Sequence, residues 1–436
     1  MNYIFYRIST YLAIFAAYIV FMHSYAPLGI SWQDYHAQRI FNAIEFLKIN
    51  GYFISYGFSI WDTCSDCSLE YIAWKDKIYL SVSSLSMLPY ILINHFGSKE
   101  LLFFLGPLVD KLAILMCGIF VSELLISSLK THTRLPIIIV GLACFAFFVI
   151  SPWAYKMFLA PWFEIYFLLF FLLGMLFFKN NISSFGYICF FIAGLFHFQW
   201  AAAVLIFYIL IVAASYSINK KNDAIRYFPA FKNNSQDINK TILFLLIPII
   251  VLFLARFLAQ QNLDGVLGSS ILHRIGISGD DIHNGGLLGA LQFLGGNRIT
   301  QCLQGNIVDS LSGDLAVKIS IFNCFLSILG MALISLVSIV GAYAFVKSSS
   351  EAKKIFLPLI FSLIFFITVF QQSLSVHLMG YSFIFSSIFA IGLSYLMIIA
   401  NNRLGSSILG FAFSFPCILG ILILTTRVNF LTGVNG

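Results

Sequence analysis

The sequence predicts an all-α polytopic transmembrane helical bundle, and three observations lead to that fold class. Hydrophobic residues make up 60% of the 436 residues and charged residues only 10%, whereas soluble domains carry about 25% charged residues. Apolar stretches of about 20 residues, the length that crosses a bilayer, recur along the chain. Short segments of alternating hydrophobicity, the pattern of a membrane β-barrel, are not seen. Because backbone groups in hydrocarbon must be hydrogen-bonded internally, these stretches are expected to be helices.

About eleven or twelve helices are predicted from the apolar runs. They cover residues 8–28, 101–129, 136–150, 163–178, 185–197, 200–217, 241–260, 316–346, 355–370, 381–400 and 406–424. The first run has no clear small-residue cleavage site, so we expect a retained helix rather than a signal peptide. The stretch 78–96 leaves two alternatives. Either it lies at the outer surface, bent by Pro89, which we favour, or it spans the membrane while 101–129 bends back.

Basic loops orient the helices, because Lys and Arg concentrate in short loops on the cytoplasmic side. Those loops lie at residues 130–134, 179, 220–240, 347–354 and 403. Placing them in the cytoplasm requires that the apolar stretch 185–217, which is too long for one span, form two helices broken near residues 197–200. The predicted domains are a transmembrane module at 1–217 with its external loop 29–77, a cytoplasmic loop at 218–240, and C-terminal helices at 241–436 with the external loop 261–315.

Composition and motifs argue against several classes of function. The net charge of +7 comes from short loops between apolar stretches, so it does not indicate nucleic acid as a partner. No nucleotide-binding P-loop or Gly-rich dinucleotide motif is present, which argues against an ATP-driven pump. Among the Cys residues, Cys64 and Cys67 lack the second pair that a zinc site needs. We expect them to form a local bridge or no bond.

The first external loop contains a predicted surface helix. From Tyr35 to Leu47 the apolar residues recur every three or four positions, which is typical of an amphipathic helix lying along the membrane surface. Asp34 precedes this helix at the N-cap position, where a carboxylate is favoured. Asp34 is therefore either a helix cap or a functional carboxylate on the outer side.

The order of motifs resembles that of the GT-C superfamily, polytopic glycosyltransferases that take sugar from a polyprenyl-phosphate carrier. In its aminoarabinose transferases and protein O-mannosyltransferases, an acidic residue follows the first helix and opens a surface helix that ends in Gly and an aromatic residue. Asp34 and Gly51-Tyr52 resemble that arrangement. Further similar segments, within about residues 8–217, are Pro89, FGSKEL at 96–101, LAPWFE at 159–164 and AGLFH at 193–197.

The sequence departs from the GT-C pattern at three points. Tyr35 follows Asp34, where the family often has paired acids. Glu164 comes after Pro161, whereas the family's second acid usually precedes the Pro-aromatic step. His197-Phe198-Gln199-Trp200 replaces the usual Lys-Gly at a helix break.

The resemblance implies a helical GT-C module at residues 1–217 and an inverting glycosyltransferase with its active site on the outer face of a bacterial inner membrane. Asp34 is implied as the base that takes the proton of the acceptor hydroxyl. Glu164 is a second catalytic or acceptor-positioning acid, with charge stabilisation of its helix N-terminus as the other interpretation. The implied donor is a polyprenyl-phosphate sugar. The acceptor is expected to be a surface or lipid-linked glycan, such as an O-antigen intermediate of lipopolysaccharide.

Cations and other donors near the site would stabilise the phosphate that leaves. The candidate side chains are Lys156, His197, Gln199, Arg274, Arg298 and His377. In the loop 261–315, the spacing of Asp280, Asp281 and His283 matches no defined metal site. No metal ligands are therefore assigned, although a divalent cation remains open as a cofactor.

Two other functions fit parts of the sequence. An O-antigen polymerase would hold pyrophosphate with external-loop arginines such as Arg274 and Arg298. A transporter or lipid flippase would line the middle of the bundle with charges. Within the helices, Asp110-Lys111 is expected to be a structural ion pair or a bend at the surface, and Glu123 is expected to be structural.

Overall fold

The computed structural model describes residues 2–25, 34–51, 58–61, 79–129, 136–151, 164–217, 227–229, 235–262, 321–369 and 378–404. Within these ranges the chain forms twelve helices and one two-stranded sheet. The elements are α1 (Asn2–Tyr25), α2 (Asp34–Asn50), β1 (Phe58–Trp61), β2 (Tyr79–Ser83), α3 (Ser84–Phe96), α4 (Lys99–Ser128), α5 (Ile137–Ile150), α6 (Glu164–Lys179), α7 (Ser183–Phe196), α8 (Phe198–Ser217), α9 (Ser235–Asn262), α10 (Ile321–Ser348), α11 (Ser350–Val369) and α12 (Leu378–Leu404).

The predicted fold class is confirmed, since the described chain is a polytopic helical bundle. Four of its helices, α4, α8, α9 and α12, contain stretches long and apolar enough to cross a membrane. Each predicted span from 8–28 to 381–400 corresponds to a helix, whereas 406–424 lies outside the described residues. The predicted break within 185–217 is present, because α7 ends at Phe196 and α8 begins at Phe198.

A short antiparallel sheet pairs a strand of the first external loop with the start of the stretch 78–96, in a chain for which the sequence predicts an all-α fold. Phe58 pairs with Ser83 and Trp61 with Tyr79, with an irregularity between Phe58 and Ile60. Strands of four and five residues are too short for a periodic pattern to reveal them. β2 leads directly into α3, whose 13 residues span about 20 Å. That length is less than a bilayer crossing of about 30 Å, which favours the surface alternative for 78–96.

The longest described helix, α4, extends well past its neighbour α6. Its 30 residues span about 45 Å, against about 24 Å for the 16 residues of α6. The two helices are level at one end, where the Lys179 ammonium donates a hydrogen bond to the Ser127 carbonyl oxygen. This is the cytoplasmic end in the predicted orientation, and we call it the inner end. The other, outer end of α4 therefore extends about 20 Å beyond the start of α6.

Ion pairs between helices distant in sequence join the inner end of the bundle. Arg7 of α1 pairs with Glu123 of α4 at 2.6 Å, and Tyr11 donates a hydrogen bond to the same carboxylate at 3.3 Å. Lys179 of α6 pairs with Glu351 at the start of α11, also at 2.6 Å. These contacts give Glu123 the structural role that the sequence analysis expected.

Glycine permits the close approach of α10 and α12. A Cβ atom added to Gly392 of α12 would overlap the backbone carbonyl group of Ser338, and one added to Gly341 of α10 would overlap that of Gly392. Backbone atoms cannot move aside as the end of a flexible side chain can, so any side chain at either position forces the helices apart. Small residues at helix interfaces allow this kind of approach in membranes.

We expect Gly392→Ala to lower the midpoint of thermal unfolding in detergent by several degrees, because α10 and α12 must separate and lose packing over much of their length. The matched control is Val340→Ala, since Val340 lies on the exposed side of α10 with 54% of its surface accessible. That variant should unfold within about one degree of the wild type, because it removes no buried contact. Equal midpoints for Gly392→Ala and the wild type would contradict the close approach.

Candidate functional site

The predicted helix of the first external loop is present as α2, which begins at Asp34, one residue before the predicted start at Tyr35. One side of the helix is buried and carries Ile40, Ala43, Ile44, Phe46 and Leu47. Gln38, Lys48 and Ile49 are exposed on the other side. The helix is therefore docked on the protein through an apolar stripe of three- and four-residue spacing. The side chain of Asp34 itself lies outside the part of the chain that the structure describes.

Polar and aromatic contacts fix α2 against α3 and the outer end of α4. The Asn94 amide of α3 donates a hydrogen bond to the Glu45 carboxylate at 2.8 Å. The rings of Phe41 and Phe103 meet edge to face with their centroids 6.2 Å apart. The Lys99 ammonium lies 4.6 Å from the centre of the Phe41 ring, a cation–π geometry. These contacts hold the helix that Asp34 opens.

Glu164 and His197, two candidates more than thirty residues apart in sequence, meet at the outer end of α6 and α7. Glu164 is the first residue of α6, and His197 occupies the break between α7 and α8. Glu164 Oε1 lies 3.8 Å from His197 Nε2, and the two side chains are only 15% and 12% exposed. The structure therefore pairs a carboxylate with an imidazole that sequence reasoning had only named separately.

A backbone N–H group next to the helix break indicates which nitrogen of the neutral His197 ring carries the proton. The backbone N–H of Trp200 in the first turn of α8 donates a hydrogen bond to His197 Nδ1 at 3.5 Å. A neutral imidazole that accepts at one nitrogen carries its proton on the other. The proton is thus on Nε2, the atom that faces Glu164. Gln199, another predicted donor to the phosphate, lies half-buried in the same turn.

A buried carboxylate with two tyrosine donors lies next to this pair. Tyr166, two residues after Glu164, donates a hydrogen bond to Asp110 Oδ1 at 3.0 Å. Tyr90 of α3 donates to the same oxygen, and the two hydroxyl oxygens are 3.1 Å apart. Asp110 and its neighbour Lys111 are 3% and 2% exposed.

Neither tyrosine was predicted, because tyrosines within apolar helices carry no motif. The sequence nevertheless contained a signal, since an Asp in an apolar stretch requires hydrogen-bond donors from elsewhere in the bundle. The expected structural role of Asp110 is retained, with tyrosine hydroxyls as its described partners. The alternative prediction, a bend at the surface near Asp110, is wrong, because Asp110 lies inside a continuous helix.

The Glu164–His197 pair lies at the outer end of α6, opposite the end that carries Lys179. Glu164 is about 24 Å from the inner end of α6, and the hydrocarbon core of a bilayer is about 30 Å thick. The outer part of α4, on which α3 and α2 dock, extends about 20 Å further. Ionisable side chains within an apolar helical bundle are candidates for a functional site.

The remaining predicted residues fall where the structure gives no description. Lys156, Arg274, Arg298 and His377 lie outside the described residues, as do Asp280, Asp281 and His283 of the long external loop and the cysteines Cys64 and Cys67. The roles of the first four at the donor phosphate, and of the two cysteines in a local bridge or no bond, stay predictions. Among the described residues, no group of three or more His, Cys, Asp and Glu is placed to hold a metal ion.

Comparison with known proteins gives a limited likeness. No protein-family profile and no curated protein sequence matches the chain. The oligosaccharyltransferase of Archaeoglobus fulgidus in its apo form matches with a TM-score of 0.45 and 12% identity over 97% of this chain. The archaeal oligosaccharyltransferase AglB from the same organism, in complex with an inhibitory peptide and a dolichol-phosphate, matches with a TM-score of 0.44 and 11% identity over the same share.

The chain spans 55% of the length of each of these oligosaccharyltransferases. At such identities and TM-scores the likeness assigns no activity to the chain.

The docking of α2 predicts that substitution of one isoleucine of this helix destabilises the protein and that substitution of another does not. Ile44 is completely buried and Ile49 is 60% exposed. Ile44→Ala should cost about 2–5 kcal/mol of folding free energy, because it leaves a cavity beneath the helix, and it should speed proteolysis within residues 34–50. Ile49→Ala should change neither property. Limited proteolysis followed by mass spectrometry measures both variants, and equal cleavage would contradict the docked orientation.

Proposed function

We propose that the chain is a membrane glycosyltransferase that transfers sugar from a polyprenyl-phosphate donor to a surface or lipid-linked glycan, of the O-antigen kind, on the outer face of a bacterial inner membrane. One observation carries the proposal. A partly buried Glu164–His197 pair lies at the outer end of α6, and the helix that Asp34 opens docks on the outer end of the neighbouring helix α4. This arrangement offers a carboxylate and a hydrogen-bond donor at the same end of the bundle as the helix that Asp34 opens.

The depth of the site supports a lipid-linked donor. A polyprenyl chain is soluble only in the hydrocarbon, whereas its phosphate and sugar stay at the polar boundary. A site about 24 Å from the inner end of α6 meets the outer boundary of a core about 30 Å thick. A water-soluble nucleotide sugar would need no such placement.

The reaction balances with the groups that the proposal assigns. The acceptor hydroxyl oxygen forms a bond to the anomeric carbon while the bond from that carbon to the phosphate oxygen breaks. Asp34 takes the hydroxyl proton, and the polyprenyl phosphate leaves with the electron pair of the broken bond. Attack opposite the leaving phosphate inverts the configuration at the anomeric carbon.

His197 and Glu164 act on the charge that develops during transfer. The proton on His197 Nε2 is a donor that a phosphate oxygen accepts. The Trp200 backbone N–H fixes the ring at Nδ1, and Glu164 Oε1, 3.8 Å from Nε2, favours the tautomer that carries its proton there. Gln199 offers a neutral amide donor in the same turn. Lys156, Arg274, Arg298 and His377 remain proposed phosphate ligands, and a divalent cation remains a proposed cofactor.

The test is transfer by purified protein in lipid vesicles that contain extracts of polyprenyl-phosphate sugars and of surface glycan. Asp34→Asn and Glu164→Gln should each lower transfer at least about 100-fold, because each removes a carboxylate of the reaction. The matched control is Glu123→Gln. It makes the same change at a half-buried acid that is paired with Arg7 at the inner end, and it should transfer sugar at close to the wild-type rate.

Three results would contradict the proposal. Full activity of both Asp34→Asn and Glu164→Gln would remove the carboxylates from the reaction. Loss of glycan chain length in cells with Arg298→Ala alone, while Asp34→Asn cells keep normal glycan, would indicate a polymerase that uses external arginines. In a deletion strain, untransferred sugar-lipid should accumulate on the outer leaflet, whereas accumulation on the inner leaflet would indicate a flippase.

A further inference from the structure

A set of hydrogen bonds connects α2 with α6 through the outer part of the bundle. Glu45 of α2 accepts from Asn94 of α3. One turn away on the same face of α3, Tyr90 contacts both Asp110 of α4 and Tyr166 of α6. Polar contacts therefore connect four helices one after another, namely α2, α3, α4 and α6.

The last member of this set lies beside both residues of the candidate site. Tyr166 is two residues from Glu164 on α6. Its ring stacks on Phe196, with the ring centroids 5.3 Å apart, and Phe196 precedes His197. A shift of Tyr166 would therefore displace Glu164 through the backbone of α6 and His197 through Phe196.

We propose that Tyr90, Asp110 and Tyr166 are positioning residues, which hold the helix beginning at Asp34 in fixed register with Glu164. The proposal rests on the proposed function, in which both carboxylates act on one substrate. None of the three is assigned a contact with that substrate. Their effect is geometric, since a misplacement of about 1 Å between reacting groups can cost about 100-fold in rate.

Hydrogen bonds to Asp110 are suited to this task because they are directional. Apolar packing also joins α3 to α4, but the hydrophobic effect has no preferred direction and tolerates sliding. Two hydroxyl donors on one carboxylate oxygen restrict both tyrosines at once. In a site that is 3% exposed, such charge-assisted hydrogen bonds are shorter and stronger than neutral ones.

The kinetic test uses Tyr90→Phe and Tyr166→Phe in the full-length protein. Each change keeps the ring and its packing and removes only the hydroxyl group. We expect kcat to fall about 10-fold, with the KM for donor within about twofold, because the reacting groups are less well aligned while donor binding is intact. An unchanged kcat in both variants, with the wild type active, would overturn the proposal.

The matched control removes a similar hydrogen bond at the other end of the bundle. Tyr187 of α7 is also buried, and its hydroxyl donates to Asp237 of α9 at 2.8 Å. Tyr187→Phe should lower stability about as much as Tyr90→Phe while leaving kcat unchanged. If Tyr187→Phe lowered kcat equally, the loss would reflect general stability, and the positioning role would be excluded.

Two substitutions of Asp110 show whether its role depends on accepting hydrogen bonds. Asp110→Asn keeps an oxygen that can accept from the tyrosines, whereas Asp110→Leu keeps the branched arrangement of heavy atoms but no acceptor. The expected order of kcat is wild type, then Asp110→Asn, then Asp110→Leu. Rescue by Asn relative to Leu in folded protein indicates positioning through the hydrogen bonds. An equal kcat in the two variants would contradict it.

Hydrogen exchange measured by mass spectrometry tests the coupling without an activity assay. Tyr166→Phe should speed amide exchange in α2 (residues 34–50), which Tyr166 does not touch through any described hydrogen bond, and in α3 (residues 84–96). Tyr187→Phe should leave both unchanged. Unchanged exchange in α2 for Tyr166→Phe would overturn the proposal even in an active enzyme. If the wild-type protein transfers no sugar, the proposed function fails, and the exchange result still decides whether the network couples α2 to α6.

Discussion

Acidic and basic side chains buried in this apolar bundle need partners within it, and that constraint organises both of its ends. Water is absent from the hydrocarbon, so an unpaired buried charge is costly. At the inner end the constraint is met by salt bridges, as between Arg7 and Glu123 or Lys179 and Glu351. At the outer end Asp110 is met by two tyrosine hydroxyls. The first kind of contact pairs opposite charges on different helices, and the second supplies hydroxyl donors to a carboxylate that is 3% exposed.

The helices could be predicted from the sequence because hydrophobicity and length are local properties. The break at His197 followed from length alone, since one span cannot hold the apolar stretch around it. The short strands escaped prediction because their four or five residues contain too few alternations. Half of the site was foreseen for the same local reason. Glu164 opens a helix and His197 interrupts one, and both features are visible in the sequence.

The contacts between those residues could not be predicted, because they depend on how the helices pack. Glu164 and His197 meet only because α7 returns beside α6, and that packing uses stacked rings such as Phe171 on Phe190, 5.2 Å apart. In a chain with 48 phenylalanines, no single ring indicates which face it covers. The partners of Asp110 were hidden for the same reason. An Asp in an apolar helix predicts donors, but any nearby hydroxyl would satisfy it.

Two carboxylates at similar depth are thus placed in different surroundings, and this difference separates their roles. Asp110 is enclosed, and its described partners are hydroxyl donors from neighbouring helices. Glu164 is about five times more exposed and lies opposite an imidazole nitrogen that carries a proton. A carboxylate that accepts from two tyrosines within the bundle serves geometry, whereas a more exposed one beside an imidazole can respond to a substrate. The outer part of α4 links these surroundings to the surface helix, because it carries Asp110 and also packs against α2 through Phe103 and Phe41.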